Sequence, residues 1–140
     1  MPGKSDYLEN RVLDHFLGGV ASTAPATVYV GLLTTAMSDA STSGTPSPGV
    51  EVTGGSYARV AVTNNATNWP AASGGAKANG TVITFPAPTA NWGTVVAAAI
   101  MDAATSGNML YWFDLTTSRT INNGDGAPSF ASGAIVITET

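Results

Sequence analysis

The spacing of apolar residues changes character once along the chain. Over residues 5–18 it is helical: at about 100° per residue, Leu8, Val12, Phe16, Leu13 and Leu17 fall within one broad half of the wheel, opposite Asn10, Arg11 and Asp14. Asp6 can cap this helix, with Glu9 three positions on reaching back as in a capping box, and Gly18-Gly19 supplies a left-handed stop. Such a helix lies on something apolar, either a face or end of its own sheet or a neighbouring subunit. From Ala26 onward the period is two, β-branched residues are frequent, and Gly, Pro, Asn and Ser clusters interrupt the runs.

The period-two region predicts strands near 27–34, 57–63, 81–86, 93–101, 109–116 and 133–138. In 57–63, Ala58, Val60 and Val62 alternate with Tyr57, Arg59, Ala61 and Thr63, as in a sheet with one wet face. Val95-Val96-Ala97-Ala98-Ala99-Ile100 does not alternate and belongs in the middle of a sheet, covered on both sides. Asn79-Gly80 predicts a tight turn into the 81–86 strand, and Asn123-Gly124-Asp125-Gly126 another before the last strand. The expectation is a mainly β domain spanning residues 1–140, an antiparallel β-sandwich or Greek-key barrel with one N-terminal amphipathic helix. Two stretches, 36–50 and 64–78, have no apolar period and read as long irregular loops, the kind that make contacts with other chains.

Composition narrows the function. The chain has 140 residues with only 5 basic and 9 acidic side chains, 10% of the total, where about 25% is usual. So few charges cannot cover the surface of a folded chain this long, and a surface of Thr, Ser, Asn, Gly and Ala associates readily. The five cations, Lys4, Arg11, Arg59, Lys77 and Arg119, are scattered, and the net charge is −4, which argues against a nucleic-acid partner. The longest apolar run, Val95 to Met101, is too short to span a membrane. No apolar segment follows Met1-Pro2-Gly3-Lys4, so no secretory signal is expected and synthesis in a cytoplasm is the expectation. Without cysteine there is neither a disulfide framework nor a zinc–thiolate site.

Candidate chemistry is sparse. His15 is the single histidine, no Gly-x-Ser-x-Gly elbow occurs, and a triad needs an oriented base beside a nucleophile. Asp102 and Asp114 bracket the predicted 93–101/109–116 hairpin and are the best carboxylate pair for glycoside hydrolysis, which needs a separation of roughly 5–10 Å; turn and strand-end roles suit them better. Residues 121–132 place Asn123, Asp125 and Gly126 as in a calcium loop, but Ile121 and Ser132 stand where the first carboxylate and the bidentate glutamate belong. No enzyme activity, metal or cofactor is expected. Trp92 and Trp112 read as core, whereas Trp69, in an irregular segment before Pro70, reads as a loop lid or an anchor between subunits. With Leu8, Val12 and Phe16 on the helix and Pro46 and Pro48 in the first long loop, it completes the set of interface candidates.

Four stretches carry a resemblance: Tyr7-Leu8-Glu9-Asn10 through Leu13 to Gly19; Ala24-Pro25-Ala26-Thr27-Val28-Tyr29-Val30-Gly31-Leu32; Gly54-Gly55-Ser56-Tyr57-Ala58-Arg59-Val60; and Asn91-Trp92-Gly93-Thr94 through Met101 to Tyr111. In this order they resemble a group of small bacteriophage virion proteins labelled tail fibre or head decoration proteins. The resemblance implies a structural part of the phage particle with no catalytic residues to carry over. A compact domain without heptads or shaft repeats suits a decoration protein that cements the assembled head, partnered by the major capsid protein or other virion proteins and by copies of itself, with a homotrimer expected at threefold junctions. The alternative is a tail fibre or tail-tip component that recognises the host surface.

Overall fold

The computed structural model describes residues 3–37 and 50–139. In chain order they form β1 (Gly3–Lys4), α1 (Asp6–Gly18), β2 (Thr27–Leu33), β3 (Val60–Thr63), β4 (Ala76–Ala78), β5 (Ile83–Thr84), β6 (Gly93–Met101), β7 (Met109–Ile121), β8 (Ser129–Phe130) and β9 (Val136–Thr138). An antiparallel sheet of order β1-β7-β6-β2-β3 is the main layer, and two short ribbons, β4-β9 and β5-β8, complete a sandwich-like, mainly β fold. Ile83, Phe85 and Ile137 from the ribbons share one cluster with Val28, Val30 and Ile100 of the sheet, so the ribbons close that face. Leu33, Ala97, Ala99, Met101, Met109 and Trp112 form a second cluster.

The middle of the sheet follows from side-chain size. Val95, Ala97, Ala98 and Ala99 are at most 1% exposed, and β6 pairs with both β2 and β7, as a strand apolar on both faces must. Small side chains there let the two clusters approach the same strand closely. A register shift between Val95 and Ala97 leaves four β7 residues, 115–118, facing Val96 alone, and such a bulge bends the long β7.

The helix cap lies one residue earlier than the sequence suggests. Ser5, not Asp6, is the cap, and its hydroxyl accepts from the Leu8 amide at 3.3 Å. The same hydroxyl donates to the Met109 carbonyl, so the cap is fully buried and ties α1 to β7. At the other end Gly19 adopts φ +67°, and its amide bonds to the Asp14 carbonyl, the left-handed stop that glycine permits without steric cost.

The 57–63 strand is the main departure from the expected sheet: only Val60–Thr63 pair, and Tyr57 and Arg59 do not face water. Gly54, Gly55 and Ser56 all have positive φ (+75°, +58°, +64°), which turns the chain so that Tyr57 and Arg59 fold back toward Glu51. Arg59 donates to both Glu51 oxygens at 2.8 and 2.9 Å, and its Nη1 donates to the Ala103 and Ser106 carbonyls at 2.8 Å. The Tyr57 hydroxyl accepts from Leu32 N at 2.8 Å and donates to Glu51 at 2.9 Å. Burial first, then the Glu51 carboxylate, pushes this phenol far above its usual range; the hydrogen bond to Glu51 is the leading cause that raises Arg59. Gly31 makes the close approach feasible, since a Cβ there would lie 2.6 Å from Glu51 Oε2.

The 64–78 stretch is also more ordered than its composition suggests. Asn65 Oδ1 accepts from Thr67 N and Asn68 N, and Asn68 Nδ2 donates to the Thr63 carbonyl. The stretch ends in β4. At its close Asn79, 2% exposed, donates to the Thr81 and Ala131 carbonyls and accepts from Ile135 N, so the expected Asn79-Gly80 turn is also a polar hub for the C-terminal segment. β1, β4 and β8 escape the sequence reading because two or three residues carry no period.

The Glu51–Arg59 pair is largely buried, with the side chains 21% and 6% exposed. Arg59→Ala should therefore destabilise the fold by about 3 kcal/mol, and Gly31→Ala by about 2 kcal/mol through crowding of Glu51. In the double variant the losses should sum to less than their total, because a released Glu51 can move away from the new methyl. Urea denaturation of the four proteins checks this.

Candidate functional site

α1 is pinned at one end and overhangs at the other. Ser5 holds its start against Met109, and Lys4 continues the tether, donating to Glu139 at 2.6 Å. Tyr7 and Leu8, half-buried, pack against the main core, and Arg11 reaches the Tyr7 hydroxyl at 2.9 Å and Ser22 at 3.0 Å. Beyond that the helix has no buried residue. Leu13, Phe16, Leu17 and Val20 are 55%, 77%, 84% and 56% exposed. Four such side chains together present on the order of 500 Å² of apolar surface, near the upper end for a monomer's largest patch.

Between the helix and the sandwich lies a groove of about 670 Å³. Its walls are Val12 and Phe16 from α1, Val28, Ile100 and Leu110 from the sheet, and Trp69 and Ile137 from the opposite side, with Lys77 of β4 also lining it. Arg11, Asp102 and Glu139 line it too, but each is engaged within the chain. Asp102 accepts from Asn108 N at 2.7 Å and from its side chain at 3.1 Å. Glu139 takes Lys4 and the Tyr111 hydroxyl, the latter at 3.1 Å. Lys77 joins neither of the ion pairs formed among the described residues, Lys4–Glu139 and Glu51–Arg59. The site is thus mostly apolar with a few polar groups at its edge, the composition common to binding grooves.

The candidate residues are distributed unevenly about this groove. Leu8, Val12 and Phe16 all line it, the first two half-buried and Phe16 exposed. Trp69 is no exposed lid: it is 8% exposed, sits in the chain's own core cluster and contributes to the groove wall, and its indole N–H has no hydrogen-bond partner. The Ala66-Thr67-Asn68 turn, closed by Trp69 N donating to the Asn65 carbonyl at 2.9 Å, folds the ring inward. Pro46 and Pro48, with most of the 36–50 loop, lie outside the described residues. Asp102 and Asp114 do not face one another. Asp114 is paired with Ala97, five residues along β6 from Asp102, which places them roughly 16 Å apart along the hairpin. His15 is exposed, with Nδ1 2.9 Å from the Val20 carbonyl and its ring edge-on to Phe16. In the 121–132 stretch Asp125 accepts from Asn122 N at 2.8 Å, and its own amide donates to the Asn122 carbonyl at 3.1 Å, which closes a tight turn.

Residues 3–138 match the family described as podophage GP4 fiber I protein gp80. The chain belongs to this family. It is a structural protein of the phage particle, and no curated protein matches its sequence. Among the described residues of this fibre-family protein no helix is long and apolar enough to cross a membrane, and no three His, Cys, Asp or Glu gather where they could hold a metal ion.

Sequence reasoning missed the other half of the fibre-family protein's site, Lys77, Tyr111 and Glu139. Only pairing β4 with β9 and β1 with β7 brings them beside the helix; no local pattern signals it.

Burial, and next the Glu139 carboxylate, pushes the Tyr111 hydroxyl up from 10.0 to about 12. Between these values the folded chain keeps a proton that the unfolded chain releases. The resulting stability is full below pH 10 and is lost as pH rises to about 12. Tyr111→Phe should accordingly lose less stability than the parent protein across this window, as read by urea denaturation at pH values on either side of it.

Proposed function

We propose that the chain is a non-catalytic subunit of a fibre on the phage particle, built to associate with copies of itself as a homotrimer and to attach to other virion proteins. The observation that carries this reading is the apolar, unpartnered end of α1 beside an apolar groove, on a domain with so few charges. A protein used in many copies gains from self-complementary, lightly polar surface. Membership of a family described by a fibre protein supports the fibre location over the head-decoration role that the sequence alone favours.

Head decoration is the second reading. It is favoured by the sandwich itself, which contains no shaft repeat among the described residues and has the build of a block laid over capsomer junctions. In that role the protein would bind the assembled shell in preference to free subunits and stabilise it by mass action. Nucleic acid and membrane have no place in either reading, since the cations remain dispersed over the fold and, among the described residues, Lys4 and Arg59 are engaged in ion pairs.

The two readings differ in copy number and position. Labelled antibody against the protein, imaged on purified particles, should mark a few discrete appendages. Label spread over the whole head would replace the fibre reading with decoration, and particles that carry none of the protein would discard both.

A further inference from the structure

The two apolar features of α1 point in different directions. The groove takes Tyr7, Leu8, Arg11, Val12, His15 and Phe16 from the helix, positions that occupy about half of the wheel. Leu13 and Leu17 are not among its walls; they lie on the remaining arc, turned away from the domain, with Asp14 about 60° beyond Leu17. The surface that needs covering and the cavity that needs filling are therefore distinct patches of one chain. Contacts between distinct patches can run head-to-tail, and three of them related by a threefold axis close into a ring.

We propose that the Leu13–Leu17 face of one copy docks into the groove of the next, with Asp14 meeting Lys77, and that three such contacts close the ring. This rests on the reading of the chain as a self-associating virion subunit. Charge selects the occupant. Of the acidic and basic side chains lining the groove, Asp102 is bound by Asn108 and Glu139 by Lys4 and Tyr111, whereas the two cations, the Lys77 ammonium and Arg11, which donates only to the neutral hydroxyls of Tyr7 and Ser22, stand outside the ion pairs formed among the described residues and can meet an incoming carboxylate. A matching segment must present apolar side chains flanked by one acid. Leu13-Asp14 with Leu17 does so, on an exposed helix end that its own domain does not cover. Leu13 and Leu17, 55% and 84% exposed, present on the order of 250 Å², about a third of the roughly 800 Å² per partner of a stable interface, and Asp14 with the polar rim of the groove supplies the remainder.

Sedimentation equilibrium of the isolated protein tests the proposal, with near-ultraviolet circular dichroism to confirm that each variant is folded. The parent protein should be a trimer. Leu13→Ser with Leu17→Ser, both exposed and outside the core, should raise the dissociation constant by at least about tenfold. Lys77→Glu and Asp14→Lys should each weaken association, and combining them in one chain should restore it, a rescue that a merely structural role for either residue would not give. A monomer at every concentration, a closed dimer, or a trimer indifferent to Leu13→Ser/Leu17→Ser would overturn the inference. Presence of the protein in purified particles is a separate readout, so a monomer that is still found on the particle refutes this contact and leaves the virion role standing.

Discussion

Arg59 is the point at which three otherwise separate pieces of the chain are held together. Its guanidinium is planar and always charged, and it presents donors in a fixed fork. Here one side of the fork takes the Glu51 carboxylate and the other takes the Ala103 and Ser106 carbonyls of the β6–β7 loop. The segment that follows β2, the turn that precedes β3 and the tip of the central hairpin are thereby fixed relative to one another. Each partner depends on the rest: Glu51 fits because residue 31 is glycine, Tyr57 supplies a hydroxyl to the Leu32 amide where β3 no longer pairs, and the positive-φ turn at 54–56 delivers both Tyr57 and Arg59. Of the two ion pairs formed among the described residues this is the more buried, and it joins three loops that a hydrophobic replacement of similar volume would not tie together by hydrogen bonds.

With the domain fixed in this way, α1 can stay partly detached. Its first turn is secured by Ser5, and its last two turns carry apolar side chains into solvent. A helix this short has little stability of its own in water, so its overhanging end is maintained from the anchored end. On this member of the podophage fibre family the exposed leucines are tolerable because they are few, and burying them would be favourable.

Much of this is legible in the sequence, and the failures have common causes. The helix and the long central strands follow from periodicity over many residues, and the burial of Val95 and of 97–100 from a run that fails to alternate. A strand pattern misplaces Arg59 because it treats an arginine as a solvent-facing position, and nothing local reveals that Glu51 waits across the turn. Trp69 is misplaced because an Asn-, Ala- and Gly-rich stretch looks irregular, yet asparagine side chains can close turns as well as backbone does. The groove is legible only on its helix side. Its far wall is made by ribbons of two or three residues, whose pairing depends on the whole sandwich being assembled.

The Asn79-Gly80 turn bears on the protein's chemical longevity. An asparagine followed by glycine ordinarily ages when the glycine amide nitrogen attacks the side-chain carbonyl and ammonia is lost. Here the Gly80 nitrogen donates to the Asn68 carbonyl at 2.7 Å, the Asn79 oxygen accepts from Ile135 N, and the side chain is 2% exposed. Neither reacting group is free to approach the other. Asn123-Gly124 stands exposed at a turn, and its Gly124 nitrogen is held only by a longer 3.4 Å bond to the Pro88 carbonyl, so a particle stored outside its host would accumulate this damage there before it reached the hub of the C-terminal segment.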